Sequence, residues 1–134
     1  MFPLGLFIGI NKQINMNRPK TIFLDIDGTL IEHTEKITEQ LTAKPNLLVG
    51  TLETLTEWDR KGYNIILTTG RRESARKVTE QQLSELGIFY DQLIMGLGGG
   101  IRVVVNDRKK NKTHDTAIAI NLDRNEGIEK LKEL

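Results

Sequence analysis

Thr21-Ile22-Phe23-Leu24-Asp25-Ile26-Asp27-Gly28-Thr29-Leu30 is an apolar run rich in β-formers that ends in two carboxylates, a glycine and a hydroxyl. Ile22, Phe23, Leu24 and Ile26 read as a strand buried on both faces, the pattern of a central strand in a parallel sheet. Charged Asp25 and Asp27 at the end of such a strand are costly unless a metal, a donor or a ligand compensates them. The stretch therefore reads as a strand opening into an active-site turn, with a plain Asp-Gly turn as the bland alternative.

Further strands and helices follow from the pattern of apolar residues. Residues 31 to 45 are polar and irregular; Asn46 is placed to cap a helix running to about Lys61, with Gly62 as its stop. Leu48, Leu52, Leu55 and Trp58 form the apolar stripe of that helix, which makes Trp58 a core residue. Tyr63 to Thr68 predicts a second strand, and Glu73 to Leu86 a second helix with Ala75, Val78, Leu83 and Leu86 inward and Gly87 at its end. Short strands are predicted at Gln92 to Met95, Ile101 to Asn106 and Ala117 to Asn121, and a last helix from about Arg124 with Ile128, Leu131 and Leu134 inward. Strands alternating with helices give an α/β, Rossmann-like three-layer sandwich around a mainly parallel five-stranded sheet. One connection strains the scheme: only Gly96 to Gly100 separates the third and fourth strands, where a parallel crossover takes about a dozen residues or more. Either the third strand is a stub or that crossover lacks a helix.

Composition bounds the rest. A chain of 134 residues, 38% hydrophobic and 28% charged, builds one core and not two, so residues 19–134 are expected to form a single domain. A formal net charge of +1 gives no whole-molecule drive toward membranes and argues against a nucleic-acid partner. The absence of cysteine excludes a disulfide framework and thiolate metal sites and fits a reducing cytoplasm. His33 and His114 stand apart, which leaves a histidine metal site without support. Residues 2–10 are apolar but far short of a membrane span, with no basic residue before them and no small-residue cleavage pattern after. Residues 1–18 are expected to be a disordered extension, with Met16 as the opening of the folded protein.

Asp25-Ile26-Asp27-Gly28-Thr29-Leu30 resembles the first signature motif of the haloacid dehalogenase-like superfamily, in its phosphatase branch. The resemblance implies that Asp25 attacks phosphorus in line and becomes an aspartyl phosphate, and that Asp27 protonates the leaving alkoxide and later activates water. Ordinary chemistry agrees: a carboxylate attacks a phosphoryl group only when that group's charge is neutralised, so a divalent cation is expected beside Asp25, which the resemblance implies is Mg2+. The same resemblance implies a sheet order of 5-4-1-2-3, which sets the first and fourth strands side by side at the edge where open α/β sheets bind ligands.

Three further segments extend the likeness. Thr68-Thr69-Gly70-Arg71-Arg72 looks like the second motif, which puts Thr69 on the phosphoryl oxygens, with Gly70, Arg71 and the Gly28-Thr29 turn as substrate-binding candidates. A helix beginning beside Thr69 would turn its positive end toward an anion. Arg102-Val103-Val104-Val105-Asn106-Asp107 resembles the fourth motif, which makes Asp107 a metal ligand together with Asp25 and Asp27, the latter through its main-chain carbonyl. Asn106 stands where many relatives carry a further acid. The third motif's lysine is missing, since Gly96-Leu97-Gly98-Gly99-Gly100 occupies its place; Lys109 or Arg102 is the expected substitute, Lys109 as a catalytic cation and Arg102 on the substrate.

The resemblance spans about Pro19 to Leu122 and is similar in its flow to small capless phosphatases linked to bacterial capsule and lipopolysaccharide sugars. It implies a magnesium-dependent phosphomonoesterase acting on a small sugar phosphate. An open site also admits a macromolecular ester such as a polynucleotide 3′-phosphate, and the missing lysine keeps a silent phosphometabolite- or protein-binding member in view. Capless relatives cover one another's sites as subunits, so a homo-oligomer is a further expectation.

Overall fold

In a computed structural model the structure describes residues 18–134, and the extension expected at residues 1–18 lies outside the described residues except for Arg18. Three strands form one parallel sheet in the order β1-β2-β3: β1 Thr21–Asp25, β2 Asn64–Thr68 and β3 Gln92–Ile94. Between β1 and β2 run helices α1, Ile37–Thr42, and α2, Thr51–Arg60; α3, Arg76–Glu85, follows a 3-10 turn at Glu73–Ala75 and leads to β3. Ile22 pairs with Ile65 and Leu24 with Leu67, and Leu67 in turn with Leu93, so two rows of aliphatic side chains are aligned by strand register alone.

β2 is the central strand, and Ile65, Ile66 and Leu67 are buried on both of its faces. α2 supplies Leu55 and Trp58 to the core and α3 supplies Leu83, joined by Ile26, Leu30 and Ile128. Each such side chain contributes about 1.5–3 kcal/mol on burial. Gly62 and Gly87, at positive φ, end α2 and α3 where the sequence placed its stops. α2 begins at Thr51 rather than near Asn46, because Thr51 hands its hydroxyl proton to the Leu30 and Leu48 carbonyls while Asn46 turns aside to Glu32. The stretch read as irregular, residues 31 to 45, contains α1.

β1 is not buried on both faces. Ile22 and Leu24 face the core, whereas Phe23 is 61% exposed, because among the described residues β1 pairs with β2 only. The segments expected as strands at Ile101 to Asn106 and Ala117 to Asn121 carry none in the structure, so of the expected five-stranded order 5-4-1-2-3 three strands are shown among the described residues. Ile101 and Val105 stay 94% and 88% exposed: without a ladder partner this apolar stretch has no surface to bury against. The expected last helix is reduced to a 3-10 turn at Glu129–Leu131, after Ile128 has entered the core. β3 is a stub of three residues, one of the two alternatives that the short glycine connection left. No helix among the described residues is long and apolar enough to cross a membrane.

Candidate active site

The carboxyl ends of β1 and β2 meet where Asp25 pairs in register with Thr68. Beyond Asp25 the chain folds back on itself, with the Thr29, Leu30 and Ile31 amides all donating to the Ile26 carbonyl. Gly28 is required in this turn. Its φ is +87°, its amide donates to Ile31 and its carbonyl accepts from Asn125, so that amide is committed to the fold. Asn125 also accepts the His33 amide on its side-chain oxygen at 2.7 Å, tying the C-terminal segment to the turn.

The two acids sit in different surroundings. Asp25 opens onto a cleft between the edge of β1 away from β2 and residues 98–122, with Thr29 on its wall. Partial burial pushes its carboxyl above the ordinary aspartate range; the Ile26 amide opposes that rise, the nearby Asp27 charge adds to it, and Arg102 and His33 oppose it more weakly. Asp27 is held instead. Arg71 donates Nε to Oδ2 and Nη2 to Oδ1, both at 2.8 Å, and Gln40 donates Nε2 to Oδ1 at 2.6 Å.

Arg71 was expected on phosphate, and the structure commits it elsewhere. Its side chain is buried, and Nη1 donates to Thr79 Oγ1 at 2.9 Å and Gln82 Oε1 at 2.7 Å. The reason is the planar fork of guanidinium, which matches a carboxylate two bonds at a time; with Nη1 given to Thr79 and Gln82, four of its five N–H donors are committed inside the fold. Thr69 is buried at the end of β2; its hydroxyl oxygen accepts the Arg71 amide at 3.1 Å, which leaves the hydroxyl proton available to an incoming acceptor.

The glycine loop closes over this second segment. Gly96 and Leu97 donate their amides to the carbonyls of Arg71 and Thr69, and a Cβ at Gly70 would lie 2.7 Å from the Gly98 carbonyl oxygen. That oxygen also accepts Arg102 Nη2 at 2.9 Å. Arg102 thereby sits where its charge is felt at Asp25, while Lys109 lines the cleft from an exposed turn.

Asp107 is not gathered with the other two acids. It lies in the exposed segment, its main-chain oxygen accepting Thr116 Oγ1, and no group of three acidic or histidine side chains suited to a metal exists among the described residues. The donors expected from the sequence, the Asp25 carboxylate and the Asp27 main-chain carbonyl, are hard oxygens, the kind that suits Mg2+, a cation that retains several waters. The rise in the Asp25 carboxyl has the sign a cation would offset.

Sequence reading missed Gln40, Thr79, Gln82 and Asn125. Thr79 and Gln82, one turn apart and inward on α3 beside Leu83, carry a usable signal: buried polar residues at core positions of a helix require partners. Gln40 had no such signal, because its stretch showed no helical period.

A sequence profile for haloacid dehalogenase-like hydrolases matches residues 22–123. No curated protein sequence matches the chain. Among solved structures, a chain of a Pnkp1/Rnl/Hen1 complex is similar at 31% identity and a TM-score of 0.52, over 63% of this chain and 30% of that one. A chain of a Pnkp1/Rnl/Hen1 RNA repair complex is similar at 31% identity and 0.51, over 69% of this chain and 28% of that one. The chain thus spans less than a third of the length of either structure it resembles. With the profile covering the Asp25-Ile26-Asp27 turn, the Thr69-Gly70 turn and the approach to Asp107, the chain belongs to the haloacid dehalogenase-like hydrolases.

Proposed function

We propose that the chain is a magnesium-dependent phosphomonoesterase that works through an aspartyl phosphate on Asp25. The observation that carries this reading is the division between two neighbouring acids: the Asp25 carboxyl opens to the cleft, and Asp27 is fixed by Arg71 and Gln40. A carboxylate open to the cleft on one side suits a nucleophile; an oriented one suits proton transfer to a defined atom. Asp25 attacks phosphorus as Asp27 gives a proton to the departing oxygen. Asp27 then takes a proton from the water that frees the phosphate. Thr69 donates its hydroxyl to a phosphoryl oxygen. Mg2+, when bound, neutralises phosphoryl charge. Asp25 and the main-chain carbonyl of Asp27 would hold it, and Asp107 would join them once residues 101–106 lie along the edge of β1 away from β2 and the sheet order 5-4-1-2-3 is complete.

The decisive experiment is turnover of p-nitrophenyl phosphate with and without Mg2+ by the wild type and by Asp25→Asn. The expected result is metal-dependent turnover that the substitution abolishes. Activity of Asp25→Asn within about tenfold of wild type would overturn the mechanism, since an amide is no nucleophile for phosphorus.

A second reading, of substrate, is favoured by the comparisons. Similarity to chains of RNA repair complexes, together with Arg72, Arg102, Lys109 and Lys112 along the cleft, supports the phosphorylated end of a polynucleotide over a small sugar phosphate. A panel pairing a 3′-phosphorylated oligonucleotide with sugar phosphates, at two salt concentrations, separates them: a polynucleotide substrate gives a steep salt dependence of KM and a sugar phosphate does not.

A further inference from the structure

A carboxylate offers about two acceptor positions on each oxygen. On Asp27, Oδ1 accepts both Arg71 Nη2 and Gln40 Nε2, whereas Oδ2 accepts Arg71 Nε alone among the described residues. All three partners are donors with no lone pair to offer. A proton on Oδ1 must therefore displace a hydrogen bond, and a proton on Oδ2 need not. Arg71 by itself is symmetric, one bond to each oxygen; Gln40 creates the difference.

The orientation of Gln40 is dictated by its neighbours. Its Oε1 accepts the Thr34 amide at 2.7 Å and Thr34 Oγ1 at 2.9 Å, and a main-chain N–H can only donate. Nε2 is thereby turned to Asp27 and also donates to the Glu32 carbonyl at 3.1 Å. Gln82 anchors the assembly: Nε2 donates to the Gln40 carbonyl at 3.0 Å, and Oε1 accepts Arg71 Nη1. One buried glutamine of α3 thus ties together both side chains that grip Asp27.

We propose that Gln40 is a positioning residue that selects Oδ2 of Asp27 as the proton-carrying atom, with Gln82 as its anchor, an inference that rests on the phosphomonoesterase reading above. In the first step Asp25 forms a bond to phosphorus, the ester P–O bond breaks with its electron pair going to the leaving oxygen, and the proton on Oδ2 passes to that oxygen. In the second, water bonds to phosphorus, its proton passes to Oδ2, and the acyl phosphate P–O bond breaks to return the Asp25 carboxylate.

The test is the dependence of kcat/KM on leaving group, read with phenyl phosphate, which needs a proton, and p-nitrophenyl phosphate, which needs little help. Gln40→Ala leaves two equivalent oxygens to share the proton and is expected to lose about twofold on phenyl phosphate beyond its loss on p-nitrophenyl phosphate. Gln40→Glu keeps an acceptor for the Thr34 amide but sets a second acceptor against Oδ1, drawing the proton there. It should steepen the leaving-group dependence in the same direction while urea denaturation shows it folded. Equal losses on both substrates in these variants mean a merely structural glutamine and overturn the proposal, as does no loss on either. A wild type without turnover on either ester overturns the phosphomonoesterase reading itself, a result distinct from an active wild type with insensitive variants.

Discussion

Arg71 and Asp27 form a buried bidentate pair, with Nε on Oδ2 and Nη2 on Oδ1 at 2.8 Å each, joining the second motif of the chain to the first. The pair binds the turn after β2 to the turn after β1, and Thr79 and Gln82 extend it into α3. Removing one member leaves a buried charge and two polar side chains without their partner. Arg71→Ala is expected to cost about 3–5 kcal/mol, the range for breaking a buried ion pair, measured as the urea midpoint multiplied by the unfolding slope. Arg71→Lys keeps the charge but loses the fork, and should fall between. A midpoint unchanged in Arg71→Ala would show that the pair does not hold the two turns together.

Asp25 makes a pH prediction with a definite sign. Burial, its largest perturbation, raises the carboxyl above the ordinary aspartate value, so the folded chain binds a proton that the unfolded chain has released. Between the ordinary value and the raised one, stability falls as pH rises, and at neutral pH the ionised group costs stability. Asp25→Asn cannot ionise. It should melt above the wild type at pH 7, with the difference closing below the ordinary aspartate value. Mg2+ should raise the melting temperature of the wild type and leave Asp25→Asn nearly unmoved; saturation at a hundred times Kd corresponds to about 2.7 kcal/mol. A melting temperature lower in Asp25→Asn at pH 7 contradicts the burial argument.

Gly70 is fixed by a close approach, not by its φ. A methyl group there would stand 2.7 Å from the Gly98 carbonyl oxygen, a main-chain atom that cannot swing away by itself. Gly70→Ala should cost about 1–3 kcal/mol, the scale of an overpacked site, and should displace the loop whose Gly98 oxygen holds Arg102. The check is a denaturation curve together with kcat, and both should move.

The missing lysine makes a third claim on the same loop. Arg102, bonded to the Gly98 and Gly100 carbonyls, carries the cationic side chain of this stretch whose charge reaches Asp25, whereas Lys109 and Lys112 sit in an exposed turn. Arg102→Ala is expected to lower kcat about a hundredfold, the scale of one preorganised charge stabiliser, and Lys112→Ala to leave it near wild type. Full activity in Arg102→Ala would mean that no cation from this segment serves the aspartyl phosphate.

How much of this was legible depends on what each residue answers to. β1, β2 and the stops at Gly62 and Gly87 obey local rules, hydrophobic period and glycine's tolerance of positive φ, and these can be read along the chain. So could the buried Trp58, from the stripe it shares with Leu55. The role of Arg71 could not, because it is decided by a carboxylate forty-four positions away whose geometry suits the guanidinium fork. Phe23 shows the same limit: its exposure depends on whether residues 101–106 pair with β1, a long-range choice that the run Ile101-Arg102-Val103-Val104-Val105-Asn106 does not settle by itself.

That choice supplies the last test. Among the described residues, 101–106 make no main-chain hydrogen bond to β1, β1 pairs with β2 alone, and Asp107 joins no cluster of acids with Asp25 and Asp27. If Asp107 is a ligand of Mg2+, binding the cation must draw this segment toward β1, and the natural resting place for an apolar run of β-formers there is the edge away from β2. Amides of residues 101–106 should then exchange rapidly in the metal-free chain and become protected with Mg2+ and a phosphate analogue such as orthovanadate, because ladder hydrogen bonds open only with the sheet. Asp107→Ala should abolish the gain in protection and raise the Mg2+ concentration needed for turnover. Protection that is the same with and without the cation, or an unchanged metal titration in Asp107→Ala, would take Asp107 out of the metal site and leave Asp25 and the Asp27 carbonyl as its protein donors.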